Sequence, residues 1–151
     1  MKKKTVVILM ADDDTDDTML VRDAFKHAGI KNNFHSVEDG QELLDYLKRE
    51  GSYEDASLSP RPDLILLDLN MPLVHGKEAL KEIKASNNLG GIPVVVLTTS
   101  TEETNISECY CLGASAYVVK PVGFEELTDA ARSISKFWFQ LAELPLASKG
   151  C

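Results

Sequence analysis

The run Leu64-Ile65-Leu66-Leu67-Asp68 is highly informative about the fold of this chain. Four consecutive aliphatic residues that end in one carboxylate are typical of a central strand in a parallel sheet, because such a strand is buried on both faces. A central strand of this kind needs neighbouring strands at its two edges and helices over its two faces. The residues on either side of the stretch should therefore supply further buried strands that alternate with amphipathic helices.

This alternation is present along most of the chain. The predicted strands are residues 6–10, 34–37, 64–67, 93–97 and 116–119. Segments with the apolar spacing of helices lie between them, and the first and last predicted helices cover residues 19–28 and 124–141. Alternation of strand and helix five times over predicts an α/β fold with a doubly wound, five-stranded parallel sheet and about five helices.

Several residues predict where the helices begin and end. Gly29 and Gly113 suit the position just past a helix, where the backbone often turns left-handed. Asp39 can cap the second helix, and residues 100–103, Ser-Thr-Glu-Glu, match a capping box for the fourth. Residues 51–62 carry the serines, prolines and glycine of a surface loop.

Length and composition limit the function further. The chain has 151 residues, which suits a single domain with a core over about 5–141 and a tail over 142–151. The formal net charge of -8 disfavours binding to nucleic acid or to an anionic membrane surface, and no apolar run is long enough to span a bilayer. Three cysteines are too few and too oddly spaced for a disulfide framework, so we expect a cytoplasmic location.

Polar residues stand at the ends of four predicted strands. Asp12 and Asp13 follow the first strand, Asp68 follows the third, Thr98 the fourth and Lys120 the fifth. In open parallel sheets the functional crevice lies beyond the carboxyl ends of the strands, so these side chains should meet there.

These residue types suit phosphoryl transfer. Three carboxylates in one crevice repel one another and need a cation or a proton, and oxygen ligands with open positions favour Mg²⁺. Asp68 is then the expected nucleophile, which would form an aspartyl-phosphate. Lys120 offers a positive charge and Thr98 a hydroxyl for the phosphoryl oxygens. Since phosphoryl transfer depends mainly on positioning and charge, little further chemistry is required.

Taken together, these motifs resemble the receiver domains of two-component response regulators. The resemblance covers residue 6 to about residue 141, and it rests on Asp12-Asp13, the loop from Asp68 to Pro72 with Gly76 beyond it, Thr98, Tyr117 and the Lys120-Pro121 step. It implies a flavodoxin-like receiver fold and a protein that is no enzyme in its own right. Such a protein is a phosphoacceptor that assists its own phosphorylation and dephosphorylation.

The resemblance also implies roles for individual residues. Asp13, Asp68 and the backbone carbonyl of Asn70 would hold the metal, with Asp12 acting mainly through water. Thr98 and Tyr117 would form the switch, which alters the face made by the fourth helix, fifth strand and fifth helix. The Lys120-Pro121 peptide bond is usually cis in the family.

A narrower resemblance concerns the partner. The inserted loop at residues 51–62, the run 94–100 and the ending around Phe137-Trp138 are similar to the small receivers paired with bacterial phytochromes. This resemblance implies a sensor histidine kinase as phosphodonor, and a bacterial phytochrome as the kinase in question.

A phosphatase motif near the first predicted strand provides an alternative interpretation of the function. The run Asp14-Thr15-Asp16-Asp17-Thr18 fits the Asp-x-Asp-x-Thr motif of haloacid-dehalogenase-type phosphatases, in which Asp14 would be the nucleophile. That nucleophile should stand directly at the strand end, where Asp12 stands instead. The competing interpretation is that these acidic residues occupy the first turn of a helix, where negative charge is favourable.

The last predicted helix suggests an assembly. Its inward stripe would contain Leu127, Ala131, Ile134, Trp138 and Leu141. Phe139 lies about 100° from Trp138 around a regular helix, so we expect Phe139 to be at least partly exposed. An exposed aromatic side chain at this place favours a homodimer through the fifth helix and its neighbours. The alternative is that the tail residues 144–146 cover it.

Overall fold

The computed structural model describes residues 5–144. Strands and helices alternate throughout this range, and their bounds are β1 Val6–Ala11, α1 Thr15–His27, β2 Asn32–Val37, α2 Gly40–Lys48, β3 Leu64–Leu67, α3 Gly76–Ala85, β4 Val94–Thr98, α4 Glu103–Cys111, β5 Ala116–Val119 and α5 Phe124–Ser135. A short 3₁₀ helix, Gly51–Tyr53, lies in the loop after α2. The tail predicted from residue 142 lies outside the described residues from position 145 onward.

The five strands form one parallel sheet in the order β2-β1-β3-β4-β5. Every residue of β1, β3 and β4 is buried, as the continuous aliphatic runs predict. Alternate strand side chains pack on opposite faces. On one face they contact α1 and α5, and on the other α2, α3 and α4. The predicted doubly wound α/β fold is therefore confirmed.

Most of the predicted helix termini are present. The Asp39 carboxylate accepts a hydrogen bond from the Glu42 backbone N–H at 2.7 Å and caps α2. Gly29 and Gly113 have φ values of 84° and 106°, a backbone conformation that suits glycine after a helix. Among residues 5–144, no helix has both the length and the hydrophobicity that a membrane span requires.

The predicted capping box at the start of α4 is wrong. The helix begins at Glu103, and its cap residue Glu102 makes no side-chain capping bond. The Ser100 hydroxyl instead accepts hydrogen bonds from the Glu102 N–H at 3.3 Å and from Asn105 Nδ2 at 2.9 Å. The Asn105 side chain thus competes for the oxygen that would have capped the helix.

The end of the last helix also differs from the prediction. Regular α-helix stops at Ser135, and Lys136–Leu141 continue as a π-helical turn, which is closed by an Ala142 N–H to Phe137 C=O bond of 2.7 Å. The wider turn changes which side chains face the core. Phe139 is only 6% exposed, whereas Phe137 and Leu141 are 51% and 65% exposed. Both the exposed Phe139 and the inward Leu141 were therefore wrongly predicted.

Candidate functional site

The carboxyl ends of the strands bring together the residues that the sequence singles out. Asp12 and Asp13 follow β1, Asp68 follows β3, Thr98 is the last residue of β4, and Lys120 follows β5. Backbone bonds fix this arrangement: the Asp68 N–H donates to the Ala11 carbonyl at 2.9 Å, and the Lys120 N–H donates to the Thr98 carbonyl at 2.8 Å. The crevice is thus built on the ends of strands β1, β3, β4 and β5.

Three carboxylates form the acidic part of the crevice. One oxygen from each of Asp12, Asp13 and Asp68 lies within 4.8 Å of the other two. Asp12 and Asp68 are 1% and 7% exposed, whereas Asp13 is open to solvent. A set of carboxylate oxygens with one open side is the donor chemistry that a hard divalent cation prefers. The donor atoms therefore fit the metal site that the sequence predicts.

Lys120 crosses the crevice and makes two ion pairs. Its ammonium group contacts the Asp12 carboxylate at 2.6 Å and the Asp17 carboxylate at 2.9 Å. Burial by itself would lower the pKa of Lys120, but the hydrogen bonds to Asp12 and Asp17 outweigh it and the pKa is raised. Lys120 is therefore a permanent positive charge beside Asp68.

Asp17 is a site residue that the sequence analysis missed. It lies in the first turn of α1, where acidic residues are common because they favour the helix dipole. Its additional role is the ion pair with Lys120, a residue that is 103 positions away along the chain. No local pattern reveals such a contact, although three carboxylates at positions 12, 13 and 17 around one predicted crevice give a weak signal.

Asp68 has an environment of its own. Burial raises the pKa of the Asp68 carboxyl, and the repulsion from Asp12 adds to this effect. The Lys120 charge, the Thr98 hydroxyl and the Leu69 backbone N–H oppose the increase in the pKa. The hydroxyl oxygen of Thr98 is buried and has no well-formed hydrogen bond with any residue from 5 to 144. It is thus a buried donor next to Asp68 that still lacks a strong acceptor.

The loop after Asp68 is closed by a close backbone approach. Both the Met71 N–H and the Gly76 N–H donate to the Leu69 carbonyl, at 3.2 and 3.1 Å. A Cβ atom on Gly76 would lie 2.7 Å from the Asp68 carbonyl oxygen, so no larger residue fits there without a shift. Asn70, whose carbonyl the resemblance assigns to the metal, lies within this loop.

Hydrogen bonds connect Tyr117 on β5 with α4 and with the segment that precedes α4. The Tyr117 hydroxyl donates to the Ser100 carbonyl at 3.0 Å, and the Tyr117 N–H donates to the Tyr110 hydroxyl at 3.0 Å. The side chain therefore connects β5 with the segment that follows Thr98. The Lys120-Pro121 peptide bond is not the cis bond that is usual in the family, since no peptide bond among residues 5–144 is cis.

The geometry around Asp14 favours a capping role over a phosphatase nucleophile. The Asp14 carboxylate accepts hydrogen bonds from the Asp16 and Asp17 N–H groups at 3.0 and 3.2 Å and caps α1. It is exposed, whereas the buried Asp12 holds the strand end that the phosphatase mechanism requires of its nucleophile. Nothing in this arrangement supports the phosphatase reading.

Comparison with known proteins agrees with this geometry. The response regulator receiver domain family matches residues 8–132. The response regulator Rcp1 of Synechocystis is 39% identical over 141 residues, which make up 93% of this chain and 94% of Rcp1.

Two solved structures of similar proteins show the same fold. The phosphorylated cyanobacterial phytochrome response regulator RcpA is 38% identical, with a TM-score of 0.86 over 94% of this chain and 99% of that one. The Mn²⁺-bound form of Rcp1 is also 38% identical, with a TM-score of 0.83 over 93% of this chain and 99% of the other. A family match over most of the chain and an acidic crevice at the expected strand ends lead to one conclusion: this chain belongs to the response regulator receiver domains of two-component signalling.

Proposed function

We propose that this receiver accepts a phosphoryl group from a sensor histidine kinase onto Asp68, with Mg²⁺ as the metal. The observation that carries the proposal is the meeting of three groups at one crevice: the buried Asp68 carboxylate, the Lys120 ammonium on a side chain that is 11% exposed, and the buried Thr98 hydroxyl, which has no well-formed hydrogen bond among residues 5–144. In the transfer, a bond forms between an Asp68 carboxylate oxygen and phosphorus. The bond from phosphorus to the kinase imidazole nitrogen breaks, and the imidazole keeps that electron pair.

The surrounding side chains supply what this reaction needs. The carboxylates of Asp12, Asp13 and Asp68, with the Asn70 carbonyl, would hold Mg²⁺, which reduces the repulsion between Asp68 and an incoming phosphoryl group when bound. Lys120 provides a positive charge for one phosphoryl oxygen. The Thr98 hydroxyl, which has no well-formed hydrogen bond among residues 5–144, would gain a strong acceptor in a phosphoryl oxygen. These residues assist both the phosphorylation of Asp68 and the later hydrolysis of its acyl phosphate, which restores the carboxylate and releases inorganic phosphate.

This receiver offers the kinase an apolar docking surface beside the crevice. Met19, Leu20, Val122 and Phe124 are exposed large hydrophobic residues. Leu20, Val122 and Phe124 line a small cleft with Lys120. Apolar side chains at the mouth of a charged site are typical of a protein interaction surface. Since Rcp1 and RcpA are similar over almost their whole length and RcpA is a phytochrome response regulator, we propose a phytochrome-type kinase as the donor.

Phosphorylation would be transmitted through Thr98 and Tyr117. When the Thr98 hydroxyl moves toward a phosphoryl oxygen, space opens beneath the segment that holds the Tyr117 hydroxyl. Tyr117 then exchanges its bond to the Ser100 carbonyl for a more buried position. This shifts the balance between two packings of the face made by α4, β5 and α5.

A homodimer through α5 and its neighbours remains part of the proposal, with different residues at its centre. The exposed Phe137 and Leu141 lie on the π-helical turn and replace Phe139 as the apolar surface. A two-fold axis would place this surface against its own copy. Phe137→Asp should therefore sediment as a monomer under conditions in which the wild type is a dimer. A monomeric wild type at high concentration, with or without phosphate, removes the dimer.

The central test is labelling with acetyl phosphate. The wild type should take up phosphate on Asp68 in Mg²⁺ and almost none in EDTA, whereas Asp68→Asn should take up none in either. Asp14→Asn is the matched control, because it removes a carboxylate two residues from Asp12 but outside the acidic crevice. Normal labelling of Asp68→Asn with loss of labelling in Asp14→Asn would contradict the proposal and restore the phosphatase reading.

A further inference from the structure

An open groove lies away from the phosphorylation site. It has a volume of about 670 Å³ and follows the amino-terminal half of β2, with Ser57 and Pro60 on its far side. The crevice around Asp68 lies instead at the carboxyl ends of the strands. The groove is therefore a separate surface that the proposed phosphoryl transfer does not use.

This groove is basic in an acidic protein. Arg22, Lys26 and Lys31 line it together with His35, and none of its lining residues in the described chain is an aspartate or glutamate. The three cationic side chains make no ion pair with any residue between 5 and 144. The Arg22 guanidinium lies over the Phe34 ring, 5.2 Å from its centre, which holds it in place. In a chain of net charge -8, this is a local concentration of positive charge.

The backbone of β2 adds a second feature. β2 is an edge strand, paired only with β1 on its inner side. Val6 N–H donates to the Lys31 carbonyl and Asp12 N–H to the Val37 carbonyl, so the odd-numbered residues of β2 face β1. In a parallel pair the N–H and C=O groups alternate between the two sides of a strand. The backbone groups of Asn32, Phe34 and Ser36 therefore point outward, beside the groove.

We propose that this groove binds an acidic, extended segment of a partner protein, which adds a strand to the free edge of β2. The outward N–H and C=O groups of Asn32, Phe34 and Ser36 would form the backbone hydrogen bonds of the added strand. Carboxylates of the segment would pair with Arg22, Lys26 and Lys31. Exposed edges risk pairing with a second copy of the same chain, but here each copy carries the same positive charges and repels the other. The site thus selects a strand of opposite charge.

A synthetic peptide of alternating glutamate and threonine, ten residues long, is the probe for this proposal. Added to the ¹⁵N-labelled full chain, it should shift the amide signals of residues 32–36 and leave those around Asp68 in place. Lys26→Glu with Lys31→Glu should weaken its binding at least ten-fold. Lys81→Glu is the matched control, because Lys81 is exposed on α3 and lies outside the groove, and it should bind the peptide as the wild type does.

A second peptide tests the strand pairing itself. The same sequence with every second backbone nitrogen methylated keeps its charge and loses half of its hydrogen-bond donors. It should bind at least ten-fold more weakly if its backbone pairs with β2. Equal binding of the two peptides, equal loss in Lys81→Glu, no shift at residues 32–36, or tighter binding of duplex DNA of equal charge would each overturn the proposal.

Discussion

The centre of the sheet and its β5 side are packed very differently. Every residue of β1, β3 and β4 is buried, whereas none of the four residues of β5 is fully buried, and α4 buries only Cys109. The proposed acceptor Asp68 stands on the buried centre, and the proposed switch residue Tyr117 stands on β5. The difference indicates two separate roles. The rigid centre holds charged groups in place, and the loosely packed β5 side can change its packing with a small change in free energy.

The largest expected effect is on the stability of the centre. Leu66→Ala removes a fully buried side chain and should lower the free energy of unfolding by about 2–5 kcal/mol. Ile106→Ala, on the partly exposed face of α4, should cost less than about 1 kcal/mol. Urea denaturation followed by circular dichroism measures both. Equal losses for the two variants would remove the distinction between centre and side.

The second prediction concerns the charge at the end of β3. Because burial raises the pKa of Asp68 in the folded state, its contribution to stability is present at acidic pH and is lost as the pH rises through the raised value. Asp68→Asn should therefore be more stable than the wild type at pH 7 in EDTA. The gain should disappear below the usual pKa range of aspartate. Thermal melts across pH 3–8 test this, and a gain that is independent of pH would contradict it.

The third prediction concerns the hold on Lys120. Asp17→Asn weakens one of the two ion pairs of Lys120, and because Asp17 is partly exposed the cost in stability should be about 1 kcal/mol or less. The Lys120 ammonium should then move more freely toward a phosphoryl group, so the rate of labelling by acetyl phosphate should change. Asp16→Asn, an exposed carboxylate in the same turn, is the control and should leave that rate as it is.

The smallest expected effect on the labelling of Asp68 is at the switch. Tyr117→Phe removes one hydrogen bond, to the Ser100 carbonyl, and should cost about 0.5–1.5 kcal/mol of stability. Labelling of Asp68 should continue at a similar rate, because Tyr117 is not among the groups that face the phosphoryl. The amide shifts in α4 on phosphorylation should nevertheless become smaller. Full-sized shifts in α4 would show that Tyr117 does not carry the signal.

Much of the fold followed from local patterns. The aliphatic runs at β1, β3 and β4 predicted buried parallel strands, and Asp39, Gly29 and Gly113 predicted helix ends. The predicted capping box at α4 is absent because Asn105, five residues from Ser100, donates a hydrogen bond to the serine oxygen. The predicted exposure of Phe139 was wrong because the regular period of 3.6 residues does not describe a π-helical turn. The side chain of Phe139 instead belongs to the buried cluster between the sheet and the helices α1 and α5.

Local sequence patterns were sufficient to predict which carboxylates, which hydroxyl and which lysine follow which strand. These are consequences of chain connectivity in a parallel sheet, where every strand ends at the same edge. How these charges pair depends on the tertiary fold. Lys120, which follows β5, contacts Asp12 and Asp17 across the crevice, although β3 and β4 separate β5 from β1 and both partners are over 100 residues away along the chain. The basic groove is likewise a product of assembly, since Arg22, Lys31 and Ser57 come together only when α1, β2 and a distant loop meet in space.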